Sequence, residues 1–310
     1  MHYLSIDVGG TYIKFGLIDR AGNFIQTWRH STPKTLEQFK EKILCELDAQ
    51  KGKIKGLAMS CPGRVDSTKG YIHTGGALLF LYDFPMKEWV ASITDLPFSV
   101  INDGKAAALA EWWIGNLKGI ENGAAVVLGT GIGGGLILDN HLHQGPNFQA
   151  GELSFLIRQS QNPKQPQLFG YYGSAVKFMA EATTILNVSK EDHDSVFNAI
   201  STQSSADLTV LFENYCQDIA ILLTDMQVML DLKKIVIGGG ISAQDSLIEM
   251  IQVQYINIRQ KETMLGQTFE PLIIEACAFR NSSNLLGALY HLFVEIEGST
   301  LPKNKIKDVR

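Results

Sequence analysis

The sequence predicts an α/β protein built as two domains. Its 310 residues exceed the usual span of one compact core. Short apolar strands that stop at glycine runs alternate with segments of helical periodicity. One plan also occurs twice. Leu4-Ser5-Ile6-Asp7-Val8-Gly9-Gly10-Thr11 and Val126-Val127-Leu128-Gly129-Thr130-Gly131-Ile132-Gly133 both read as strand, small-residue hairpin, strand. The hairpin strands end in Asp19 and Asp139, which suggests an internal duplication with one hairpin heading each domain.

Residues 3–7 are apolar and β-rich, Gly9-Gly10 breaks them, and 11–19 resumes as a second strand. A turn at 21–23 leads to a third strand at 24–29. Leu36, Phe39, Ile43, Leu44 and Leu47 recur at helical spacing and predict a helix over 35–48. Residues 54–61 form a buried strand ending at Pro62-Gly63. A further strand at 98–101 ends at Asn102-Asp103, and an Ala-rich helix follows over 104–116. The second set opens with a strand at 124–128 and a glycine hairpin over 129–135, with a strand resuming at 136–139. Beyond residue 150 the chain is mostly helical, most clearly over 208–232. A short strand at 233–237 runs into Gly238-Gly239-Gly240 and then a helix. A late strand covers 272–276 and a last helix 284–297. The domains are expected at 1–116 and 117–283, with the last helix packing back on the first and 298–310 a flexible tail.

Composition narrows the function classes. The chain is 45% hydrophobic and 19% charged with a net charge of −5, the balance of an ordinary globular protein without a nucleic-acid surface. Cys45, Cys61, Cys216 and Cys277 show no closely spaced pair for a structural zinc, so zinc is not expected, and four cysteines in a chain of this size do not suggest a disulfide framework. Met1 runs almost at once into a strand and no stretch is apolar enough to span a membrane, so a cytoplasmic protein is expected.

The chemistry-bearing residues lie at strand ends. Gly9, Gly10 and Thr11 make a tight turn whose backbone N–H groups an anion can approach, because no Cβ intervenes. Lys14 adds a positive charge, and Asp7 could hold hydrated Mg²⁺. A plain hairpin turn explains one such loop equally well. A second one at 129–135, with Thr130 and Gly131, and a third glycine run at 238–240 exceed what turns require. Two phosphate-approaching hairpins can clamp a nucleotide. Neither a Walker A motif nor G-x-G-x-x-G is present. Asn102 and Asp103 are good N-caps, and Asp103 is equally a carboxylate able to take a proton from a substrate hydroxyl. One arrangement serves both, with Asn102 capping and Asp103 free. Glu152 reads as a solvated loop residue or a ligand for sugar hydroxyls. Gly75-Gly76-Ala77 reads as a chain turn or a pocket wall.

With these residues in view, the chain resembles the ROK family (repressors, open reading frames, sugar kinases) over nearly its whole length. The family's D-x-G-G-T-x-x-K falls on Asp7, Gly9, Gly10, Thr11 and Lys14, and its P-G-x-V-D on Pro62, Gly63, Val65 and Asp66. Its N-D and Ala-rich helix fall on Asn102, Asp103, Ala106–Ala108 and Glu111. Its G-T-G-I-G-G-G spans 129–135, and its I-G-G-G-I spans 237–241. The resemblance implies an actin-like ATPase fold of the ribonuclease H-like, hexokinase type, and ATP-dependent phosphorylation of a sugar. Asp103 would be the general base. Gly9, Gly10, Thr11, Lys14, Thr130 and Gly131 would hold the phosphates, and Gly239 and Gly240 the adenosine. Gly76, Asn102, Asp103 and Glu152 would bind the sugar. A homodimer is implied as well.

Two departures stand out. The family's E-x-G-H reads Glu152-Leu153-Ser154-Phe155, and the Cys-rich zinc segment that usually follows is absent from 156–173. Relatives with those features resemble β-glucoside kinases acting at the 6-hydroxyl, with glucokinase the alternative. Family repressors carry a DNA-reading domain ahead of this core. Here the first hairpin begins at residue 3, so a repressor is not expected. Retention of Asp103, Lys14 and both hairpins argues against a non-catalytic sugar sensor.

Overall fold

The computed structural model describes residues 2–159 and 167–298. The tail expected at 298–310 therefore lies, from residue 299, outside the described residues, as does part of 156–173. The chain divides into two units. One comprises residues up to Ala106 together with the chain from Asn284 onward, and the other is Ala107–Ser283.

The first unit opens with three antiparallel strands, β1 (His2–Val8), β2 (Tyr12–Ile18) and β3 (Phe24–Ser31). Helix α1 (Leu36–Ala49) starts where the Thr35 side chain accepts the Gln38 N–H, and it buries Phe39 and Ile43. Strand β4 (Ile54–Cys61) returns parallel to β1. A small hairpin of β5 (Val65–Asp66) and β6 (Tyr71–Ile72) and the short helix α2 (Met86–Ala91) precede β7 (Phe98–Asn102), which is parallel to β4. Helix α3 (Asp103–Ile114) follows directly. The sheet order is β3-β2-β1-β4-β7, and Leu4, Ile6, Phe15, Leu57, Met59 and Val100 form its core with Phe39 and Ile43.

The second unit repeats the plan. Strands β8 (Gly123–Leu128), β9 (Ile132–Leu138) and β10 (His141–His143) are antiparallel. A two-stranded ribbon of β11 (Ile157–Gln159) and β12 (Gln167–Leu168) leads into α4 (Phe169–Tyr172), α5 (Ala175–Leu186), α6 (His193–Thr202) and the long α7 (Ala206–Leu230). Strand β13 (Lys234–Gly239) runs parallel to β8. After α8 (Asp245–Lys261) and α9 (Thr263–Thr268), β14 (Ile273–Ala276) runs parallel to β13. The order is β10-β9-β8-β13-β14, with the same strand senses as the first sheet. This doubled arrangement is the actin-like ATPase architecture that was expected.

The last helix, α10 (Ser283–Glu297), completes the first unit. Ser5 Oγ donates to the Leu285 carbonyl at 2.6 Å, and the Tyr3 and Phe293 rings meet edge to face at 4.9 Å. A Cβ on Gly287 would collide with the Ala106 carbonyl, so glycine sets how closely α10 approaches α3.

Three local readings change. Strand β9 begins at Ile132, so Gly133, Gly134 and Gly135 are strand residues and the turn is only 129–131. The smallness of Gly134 serves packing: a Cβ there would stand 2.6 Å from Leu153 Cδ1 and 2.8 Å from the Gly151 carbonyl. Helix α8 starts at Asp245, so a turn separates the third glycine run from any helix N-terminus. Helix α3 starts at Asp103 itself, which alters the surroundings of that carboxylate.

Candidate functional site

The first unit carries its candidates at the C-terminal edge of its parallel strands, where such sheets present ligand sites. Asp7, near the end of β1, is only 5% exposed. The sheet registers place it opposite Lys14 and Ser60. Its Oδ1 accepts from Ser60 Oγ at 3.0 Å and from Asn284 Nδ2 at 3.0 Å, and Lys14 Nζ lies 3.5 Å from its Oδ2. Burial of this charge is compensated by a hydroxyl, an amide and an ammonium. Sequence reading missed the Asn284 contact.

Asn102, the last residue of β7, caps α3: its Oδ1 accepts the Lys105 N–H at 3.1 Å. Its Nδ2 donates to the Gly63 carbonyl at 3.0 Å and to Asp103 Oδ1 at 3.0 Å. The Gly104 N–H also donates to Asp103 Oδ1, at 2.8 Å. Asp103 is therefore not the free carboxylate expected. The first turn of a helix has spare N–H groups, and one of them orients it. Burial pushes the Cys61 thiol up, and the negative charges of Asp103 and Asp7 push it further. The two carboxylates thus act on one point between β1 and β7.

Gly76 joins this group through Gly63. Both have positive φ, at 59° and 87°. A Cβ on Gly63 would collide with the Thr74 carbonyl and come within 2.6 Å of the Gly76 nitrogen. The loops after β4 and β6 therefore pack directly, while Asn102 holds Gly63 from the strand side.

The second unit gathers its own candidates. Gly129 N–H donates to the Gly131 carbonyl at 2.9 Å and closes the turn around Thr130. Gly239 pairs with Leu128 at the end of β8. Its φ of 106° and the collision its Cβ would make with the Leu128 carbonyl leave room for glycine alone. Thr130, Gly131, Gly239 and Gly240 thus share one sheet edge. Glu152 precedes a 3₁₀ turn over Leu153–Phe155 that lies against β9, where Gly151 presses its backbone on Gly134. Ser154, a residue that sequence reading passed over, is the brace. Its Oγ accepts the Ile132 N–H at 2.8 Å and donates to the Ile132 carbonyl at 3.1 Å. Its place in a loop was visible; its partner across the hairpin was not.

Among the described residues, no group of three or more His, Cys, Asp or Glu could hold a metal ion. The edges instead offer backbone N–H groups, an ammonium and oriented carboxylates, a set suited to a polyphosphate and a hydroxylated substrate. The family model that matches is that of the ROK family, over residues 3–293. The chain belongs to the ROK family.

Over 305 residues this ROK protein is 27% identical to a β-glucoside kinase of Listeria monocytogenes, covering 95% of this chain and 98% of that one. It is 28% identical over 282 residues to a glucokinase of Halalkalibacterium halodurans, with 82% and 84% covered. A ROK family protein from Streptococcus pneumoniae, solved in complex with sucrose, superposes with a TM-score of 0.82 at 25% identity, covering 96% of this chain and 99% of that one.

Proposed function

We propose that this ROK protein transfers the γ-phosphoryl group of ATP to the 6-hydroxyl of a β-glucoside, with Asp103 as the general base. That it is an ATP-dependent sugar kinase rests on the family match and on relatives named for sugar kinase activity. One observation carries the finer reading. Glu152 and Phe155 bracket a single 3₁₀ turn, in which Phe155 N–H donates to the Glu152 carbonyl at 3.1 Å. Three residues per turn bring position i+3 round to the side of position i. Phe155 is 69% exposed there. An exposed aromatic ring beside a sugar-binding carboxylate suits stacking on a second ring, which a β-glucoside has and free glucose lacks. A glucokinase, or a kinase of another hexose or amino sugar, is the second reading, supported by the Halalkalibacterium relative.

The residues present fit ATP and its metal. Gly9, Gly10, Thr11, Lys14, Thr130 and Gly131 would hold the phosphates, and Gly239 and Gly240 would lie along the adenosine. Asp7, with both oxygens already engaged, would hold Mg²⁺ through water. When bound, the ion would neutralise charge on the phosphate oxygens. Asp103 then accepts the hydroxyl proton as the new O–P bond forms and ADP departs. Its Oδ1 contacts with Gly104 and Asn102 fix its direction, so no reorientation is needed during transfer. Gly76, Asn102 and Glu152 would place the sugar. We also expect a cytoplasmic homodimer, checked by mass in solution.

A coupled ADP-release assay tests this with glucose, cellobiose, gentiobiose, fructose, mannose and N-acetylmannosamine in parallel. The expected result is kcat/KM on cellobiose or gentiobiose at least tenfold above glucose. Phe155→Ala should remove about tenfold of that preference, the worth of one aromatic contact. Preference for glucose would establish the second reading. No turnover on any sugar would overturn the β-glucoside assignment.

A further inference from the structure

The first hairpin is held from behind by a residue outside every motif described above. Thr32 follows β3 and is half-buried. Its Oγ1 donates to the Gly9 carbonyl at 2.6 Å, and its backbone N–H donates to the Thr11 carbonyl at 3.0 Å. The two carbonyls that flank the exposed Gly10 are therefore both drawn toward the end of β3. Among the described residues no peptide bond is cis. In a trans peptide the C=O and the following N–H point in opposite directions. Pulling the Gly9 oxygen toward Thr32 consequently aims the Gly10 N–H away from it.

The duplicated hairpin shows the same device in other hands. The Gly129 carbonyl is the counterpart of Gly9 O. It accepts the Ala175 N–H at 2.9 Å, at the start of α5, where the Ser174 side chain caps the helix. The next N–H, that of Thr130, is thereby aimed the opposite way. Two unrelated donors, a threonine hydroxyl and a helix N-terminus, do one job at equivalent places. A fold that needed only a turn would need neither.

We propose that Thr32 is a positioning residue for the phosphate-binding hairpin, presetting the Gly10 N–H toward the nucleotide before it binds. This rests on the reading of Gly9, Gly10 and Thr11 as phosphate ligands. Presetting a donor matters because reorganisation during binding costs affinity.

The test compares Thr32→Val, which keeps the shape and loses the hydroxyl, with Thr32→Ser, which keeps the hydroxyl. For each full-length protein, KM for ATP, KM for the sugar, kcat, the Kd of a non-hydrolysable ATP analogue and the melting temperature are measured. Thr32→Val should raise KM for ATP and the analogue Kd by about threefold to tenfold, the worth of one hydrogen bond. KM for the sugar should stay within about twofold, and Thr32→Ser should restore nucleotide affinity. Equal nucleotide binding by wild type and Thr32→Val overturns the proposal and leaves the kinase reading standing. So does a parallel rise in both KM values, which marks general loosening. Failure of the wild-type protein to bind the analogue overturns both. If Thr32→Val does not fold, Thr32→Ser alone decides. With the hydroxyl kept and only the methyl group lost, it should leave analogue Kd within about twofold of wild type, and a tenfold loss would overturn the proposal.

Discussion

Asp103 is tied down before any substrate arrives, by the Gly104 N–H and Asn102 Nδ2 on the same oxygen. Asp103→Asn keeps the size and an acceptor oxygen for Gly104 but removes the base. Turnover should fall by about 10²- to 10⁴-fold with a much smaller change in sugar KM. Steady-state kinetics check this, and near-normal kcat would place the base elsewhere. Gly63 makes a different demand. Its φ of 87° and the Thr74 carbonyl at its Cβ position exclude any side chain. Gly63→Ala should lose more than about 1 kcal/mol of stability and weaken sugar binding, because Asn102 Nδ2 hangs on the Gly63 carbonyl. Denaturant titration and sugar KM report the two effects. Single residues of this kind were legible where a motif named them. Asn284, which completes the Asp7 environment from 277 positions away, was not, because nothing local marks a residue that distant in the chain.

Strands and helices were legible where periodicity and glycine breaks agreed, as in β1, β4, β7 and α7. The glycine run 133–135 misled because smallness has two uses. A turn needs it for backbone conformation, and β9 needs it so that the Glu152 loop can lie against the sheet. Composition cannot separate those uses; only the neighbour across the gap can. Ser154 and Thr32 escaped for the same reason, since each acts on a different element from its own. Helix α10 adds a pH-dependent contribution that no motif marks. His291 is 6% exposed, and its Nδ1 has no hydrogen-bond partner among the described residues. Burial, with the Lys87 charge added, lowers its pKa to about 4. The unfolded chain binds this proton near pH 6.5. Between those values the unfolded state holds the proton and the folded state does not, so stability rises with pH. The contribution is complete above about pH 6.5 and is lost as pH falls toward about 4, on the order of 3 kcal/mol in all. His291→Leu should flatten this part of the stability profile. Denaturant midpoints at pH 7 and pH 5 measure it, and an equal decline in both proteins would exclude His291 as the source.

At the scale of the molecule, the two sheets repeat one topology, but the units are not built alike along the chain. The second unit is continuous, whereas the first needs both the opening strands and α10. What α10 brings is large. It supplies Asn284 to Asp7 and the Leu285 carbonyl to Ser5, and it buries Leu285, Leu286, Leu289, Leu292 and Phe293. Five side chains at about 2 kcal/mol each come to about 10 kcal/mol, comparable with the whole stability of a domain. A chain ending at Ser283 should therefore uncover the face of the first sheet that carries Tyr3 and Ser5 and loosen the first unit. It should also leave the carboxylate of Asp7 short of a partner in a buried place, a further cost. Because those contacts join the two ends of the chain, the first unit cannot close until synthesis has passed α10, while the second unit can fold ahead of it. Limited proteolysis of the truncated chain should accordingly leave a protected fragment beginning near Ala107 and degrade the segment before it. Equal protection of both segments would show that the first sheet holds together without α10, and that the helix contributes far less than its buried surface indicates.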